Sequence, residues 1–78
     1  MIDRDLLLLK VKRANTTYDA IAEELGMDRS TWYRQIREGS ISVATMHALV
    51  GILHLTADDI IQIFFANLVA LAQHRKEA

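Results

Sequence analysis

Apolar residues recur along this chain at helical spacing, in five segments separated by short polar turns. The first spans residues 2–14. At about 100° per residue, Leu6 and Leu9 share a face with Ile2, Leu7 and Val11 occupy another, and Leu8 points away from both. Asp3 and Asp5 at its start and Lys10, Lys12 and Arg13 at its end complement the helix dipole, and Asn15 suits the left-handed residue that closes a helix. Thr17 is placed to cap a second helix whose stripe is Ile21, Ala22 and Leu25. A third helix is expected over residues 28–37, with Asp28 accepting from its first amides and Trp32 and Ile36 on its inner face; Glu38, Gly39 and Ser40 form the loop after it. Ser42 caps a fourth helix over residues 43–53. Thr56, with Asp59 in the capping-box position, starts a fifth at Ala57. Three of these starts carry an apolar residue before the cap and another at the fourth helical position. The pairs Met27/Trp32, Ile41/Met46 and Leu55/Ile60 are candidate hydrophobic staples.

Residues 18–36 organise the rest. Two short helices meet at a tight turn on Gly26 and Met27, where Gly26 can take the positive φ that the turn needs and Ala22 is small enough for a close crossing. That is the layout of a helix-turn-helix, whose second helix can enter a DNA major groove. With Trp32 and Ile36 buried, the opposite face carries Ser30, Tyr33, Arg34 and Arg37, flanked by Arg29 and Thr31.

The fifth helix carries more apolar surface than one small core can use. Extended through Phe65 to about His74, its apolar residues cover roughly two-thirds of the helical wheel. Ile60, Phe64, Leu68 and Leu71 can face the core, while Phe65, Val69 and Ala72 lie to one side. A homodimer seam built from Phe65, Leu68, Val69 and Ala72 accounts for the surplus. The other arrangement ends the helix near Ala66 and folds the remainder back over its own core.

Composition narrows the class. The 78 residues, 51% of them apolar and none proline or cysteine, fit one all-α domain whose core spans about residues 5–66, with 67–78 as a helical extension or tail. The apolar run at residues 6–9 is too short for a membrane span and lacks the flanks of a signal peptide, which points to a soluble cytoplasmic protein. His47 and His54 stand about two helical turns apart, too far to share a metal without further ligands. No nucleophile triad, glycine-rich phosphate loop or paired carboxylate site is legible, so neither an enzyme nor a metal or other cofactor is expected. A formal net charge of −1 argues against nucleic-acid binding unless the charge is placed locally. It is: residues 29–37 hold three arginines and no acid, while residues 17–28 hold four acids and no base.

The run T-T-Y-D-A-I-A-E-E-L-G-M-D-R-S-T-W-Y-R-Q-I, followed by S-V-A-T-M-H-A-L-V-G-I-L-H-L-T-A-D-D-I, resembles the lambda-repressor-like, Xre/Cro-type family, and most of all its short phage-borne members. The match rests on Ala22, Gly26 and the apolar Ile21, Leu25, Met27 and Trp32, and on the segment Ile60-Ile61-Gln62-Ile63-Phe64-Phe65. Thr16 and Gln35 depart from it, Thr16 standing where the family usually has an apolar residue and Gln35 where it frequently has an apolar or aromatic one. The resemblance implies a compact five-helix lambda-repressor-like domain, all-α, with the helix-turn-helix at helices two and three. It implies binding of double-stranded operator DNA as a homodimer, with Arg29, Ser30, Tyr33 and Arg34 reading bases. Amides behind Thr17 and Tyr18, together with Arg37, Ser40 and Ser42, are placed for phosphates. The bland alternatives stay open: Arg29 paired with Asp28 or an acid of the second helix, Tyr33 resting on that helix, Arg34 and Arg37 merely solvated. So does a different class, a protein-binding antirepressor or inhibitor on the same scaffold, favoured by the near-neutral charge, the acidic second helix and the surplus apolar surface.

Overall fold

The computed structural model describes residues 2–66, which form five α-helices and no strand among the described residues. They are α1 (Arg4–Arg13), α2 (Tyr18–Glu24), α3 (Arg29–Glu38), α4 (Val43–Leu53) and α5 (Ala57–Phe64). None of them is long and apolar enough to cross a membrane.

Short polar side chains start four of the helices. Asp3 accepts from the Leu6 amide at 3.0 Å, and Thr17 and Ser42 from Ala20 and Thr45 at 3.1 Å. The capping box at α5 is complete: Thr56 Oγ1 accepts from the Asp59 amide at 3.1 Å while Asp59 Oδ2 accepts from the Thr56 amide at 3.0 Å. Because Asp3 is the cap, α1 begins two residues later than the apolar pattern suggests. Asp28 departs from expectation. Its carbonyl accepts from the Trp32 amide, but its side chain makes no capping bond. Asp28, Arg29 and Ser30 are all exposed, so water is available both to the carboxylate and to the first amides of α3.

One device ends the first three helices. Asn15, Gly26 and Gly39 each take a left-handed conformation, with φ of 57°, 68° and 71°. The next amide then reaches back to a carbonyl five residues earlier: Thr16 to Val11, Met27 to Ala22, Ser40 to Gln35. His54, with φ 55°, does the same for α4 without being glycine. Glu38 remains helical, so the loop before α4 starts at Gly39.

The core runs through all five helices. Leu7, Val11, Ile21, Ala22, Trp32, Leu49 and Ile63 are buried, and Ile36, Ile41, Leu53, Leu55 and Phe64 close around them. All six expected staple residues lie in this cluster or packed against it. Of the two candidate faces of α1, the Leu7/Val11 face is fully buried; of the other, Ile2 is buried, Leu6 packs against the core and Leu9 is exposed, as is Leu8. On α5, Phe64 is buried and Ile60 packs against the core as expected, while Ile63, outside the expected face, is buried completely. α1 packs on α5, and the Asp3 amide donates to the Ile63 carbonyl at 2.7 Å. α5 ends at Phe64, and Phe65 takes φ −122° and ψ 35° before Ala66, which is helical again. Leu68, Val69, Leu71 and Ala72 lie outside the described residues.

Candidate nucleic-acid interface

The outward face of α3 is set by what holds it from behind. Trp32 has 0% of its surface accessible and Ile36 is buried beside it. Ser30, Arg34 and Arg37 therefore point to solvent, and Tyr33 keeps 43% of its surface exposed. α3 packs chiefly on α2, so the residues of that helix decide what neighbours this face.

An aromatic stair leads from the core to the surface. The Tyr18 ring meets Trp32 edge-on at 6.1 Å between centroids and meets Tyr33 edge-on at 5.7 Å. Burial, with the Tyr33 phenol beside it, raises the Tyr18 phenol above its ordinary value of 10.0. Tyr33 is raised for a different reason: its hydroxyl donates to Asp19, and the bond and adjacent carboxylate disfavour loss of that proton.

Arg29 pairs with an acid of the second helix and Tyr33 rests on that helix, two of the alternatives that the sequence left open, and the residue that joins them is Asp19. Its Oδ1 accepts from the Tyr33 hydroxyl at 3.0 Å and its Oδ2 from Arg29 Nη1 at 3.1 Å. Two of the four expected base readers are thus tied to one carboxylate of α2, while Ser30 and Arg34 make no side-chain hydrogen bond among the described residues. The acid at the start of α2 and the arginine just past the Gly26 turn were a visible signal. What the sequence could not supply is the tyrosine joining them.

The expected phosphate residues divide. Arg37 is exposed. Thr17 is exposed, with its hydroxyl oxygen engaged as the α2 cap. The amide of Ser40 is taken up by the Gln35 carbonyl, but its side chain faces solvent. Ser42 Oγ accepts from the Thr45 amide and donates to Thr45 Oγ1, both at about 3 Å, so its proton already has a partner. Beside Tyr33, a cleft of about 350 Å³ is lined by Leu8, Tyr18, Tyr33 and Ile36 with Arg4, Asp5 and Arg37. It brings Arg4 and Leu8 of α1 next to the face, which spacing along α3 alone does not suggest.

Of the expected dimer residues, Phe65 is exposed just past α5, and Leu68, Val69 and Ala72 lie outside the described residues. Among the described residues no three His, Cys, Asp or Glu side chains are grouped as a metal site. Compared with protein-family models, with curated proteins and with solved structures, the chain matches none.

Proposed function

We propose that this chain is a sequence-specific DNA-binding regulator of transcription, of the lambda-repressor-like type, with α2 and α3 as its helix-turn-helix. The observation that carries the reading is the division of α3: Trp32 and Ile36 are buried, and Ser30, Tyr33, Arg34 and Arg37 stand outward with no acid among residues 29–37. A helix anchored from behind with arginines on its free face is suited to a major groove. Arg34 is the principal base reader in this reading, able to reach guanine O6 and N7 with two hydrogen bonds. Arg29 and Tyr33 read beside it, and Arg37 contacts phosphate. The basic strip is narrow and the adjoining helix acidic, so affinity falls steeply with salt. The protein acts in the cytoplasm as a homodimer through the exposed apolar surface at the end of α5, setting two α3 helices about 34 Å apart on successive turns of the duplex.

The protein-binding alternative draws on one specific observation. Leu8 and Tyr33 are both exposed beside the same cleft, and tyrosine is among the residues enriched at the energetic centres of protein interfaces.

Fluorescence anisotropy on DNA upstream of the gene, at two salt concentrations, decides between them. Arg34→Ala is expected to weaken binding to the preferred site by about tenfold or more while changing binding to unrelated DNA little. Equal, weak affinity for every sequence, unaffected by Arg34→Ala, argues for the protein-binding class.

A further inference from the structure

We infer that Asp19 determines the selectivity of the α3 face, by holding Arg29 and Tyr33 in a charge-compensated, pre-aimed set; the assignment rests on the DNA-binding reading above. Both carboxylate oxygens are in use, one on each partner. The pair with Arg29 is open to solvent, its side chains 69% and 50% accessible, so it contributes little to holding the fold together. What it changes is the chemistry offered to a ligand.

Arginine has five N–H donors in a fixed fork. Bonded to Asp19 through Nη1, Arg29 has its guanidinium plane oriented and retains donors for an acceptor pair such as a guanine edge. Its charge, however, is already answered. A phosphate, offering only charge, must compete with a carboxylate and is repelled by it, whereas a base edge placed in the line of the remaining donors need not displace Asp19. Tyr33 is altered more sharply. Its single hydroxyl proton goes to Asp19, so in this state it can accept a hydrogen bond or present its ring but cannot donate to a phosphate. The ring cannot easily swing away, because Tyr18 holds its flank and Trp32 stands behind Tyr18. Tyr33 is thereby assigned to base groups, an exocyclic amino donor or a thymine methyl, and withdrawn from the DNA backbone.

One acid at the edge of the interface thus suppresses sequence-independent binding more than sequence-dependent binding. The test uses the full chain and two labelled duplexes: one recovered by selection from a random pool with the wild-type protein, the other a scramble of the same composition. Asp19→Asn keeps the size of the side chain and removes its charge. It is expected to tighten binding to the scrambled duplex several-fold and to lower the selected-to-scrambled ratio by about tenfold. It should also steepen the dependence of log affinity on log salt by about one unit, since Arg29 is released to a phosphate. Tyr33→Phe, which leaves the Arg29 pair in place, is expected to lower the ratio less and to leave the salt slope unchanged. Absorbance titration of the tyrosines checks the contact directly: Asp19→Asn should lower the raised Tyr33 transition toward its ordinary range, with circular dichroism confirming an unchanged helix content. If the wild type selects a sequence and Asp19→Asn leaves the ratio and slope unchanged, the assignment to Asp19 is overturned and the DNA-binding reading survives. If the wild type selects no sequence, the DNA-binding reading falls and this assignment falls with it.

Discussion

Two aspartates in this chain each hold two partners, and they do it in different settings. Asp59 joins the seam between α1 and α5, accepting from the Thr56 amide with one oxygen and pairing with Lys10 Nζ at 3.0 Å through the other. Its side chain is 20% accessible and that of Lys10 19%. Asp19 sits between α2 and α3 with half of its surface in water, and both its partners are side chains. A carboxylate bonded to backbone and largely screened from solvent fixes where one helix starts and which helix it leans on. The same group bonded only to exposed side chains orients them and adds little to the stability of the fold. The α1/α5 half therefore reads as a frame and the α2/α3 half as the face that the frame supports.

Adjacent residues of α3 give the sharpest way to break that contrast. Trp32→Ala removes the fully buried ring under the face and is expected to cost about 3–5 kcal/mol, a large share of the roughly 5–15 kcal/mol typical of a folded domain. Tyr33→Ala, one position on, removes an exposed ring and should leave the urea midpoint near that of the wild type while, on the proposed function, reducing selective DNA binding. If the two substitutions lower the midpoint equally, α3 has no separable inner and outer faces.

Polar atoms without partners sharpen the comparison further. Among the described residues, the buried side-chain polar atoms lacking a partner are Trp32 Nε1 and Gln35 Oε1, both on α3. An unpaired buried acceptor is costly, so Gln35→Met should stabilise the protein by about 1 kcal/mol, raising Tm by roughly 4–8 °C. A fall in Tm would mean that the Gln35 amide makes a compensating interaction.

Gln35 was conspicuous in the sequence, standing where the resemblance expects an apolar or aromatic residue. Other features were legible because their causes are local. Thr17, Ser42 and Thr56 cap helices through amides three residues on, and Asn15 closes α1 with its own backbone. Asp28 shows the limit of that logic, since residue type offers a cap but an exposed carboxylate has water as an equal partner. Four consecutive leucines in α1 are compatible with several faces, and the one that is buried, Leu7, depends on how the helices pack together. For the same reason Ile63 was missed as a core residue. Asp19 reaches residues 10 and 14 positions away, so its role depends on how α2 and α3 cross and not on spacing within either helix.

The smallest expected effect isolates the frame's own carboxylate. The Thr56 amide first, then Lys10, hold Asp59 below its ordinary value of 3.8. A folded-state value below the unfolded one means that this group adds stability above pH 3.8 and loses it as pH falls through the depressed value. Other acids also titrate there, so the informative quantity is a difference between proteins. In thermal unfolding from about pH 7 to pH 3, wild type should lose more Tm than Asp59→Asn, which has no charge to lose. Lys10→Met should fall between them and closer to wild type, because the Thr56 amide remains. Should Lys10→Met match Asp59→Asn instead, the contact across the helices outweighs the capping box. Asp59 would then act mainly as half of an ion pair, and its difference from Asp19 would reduce to one of exposure alone.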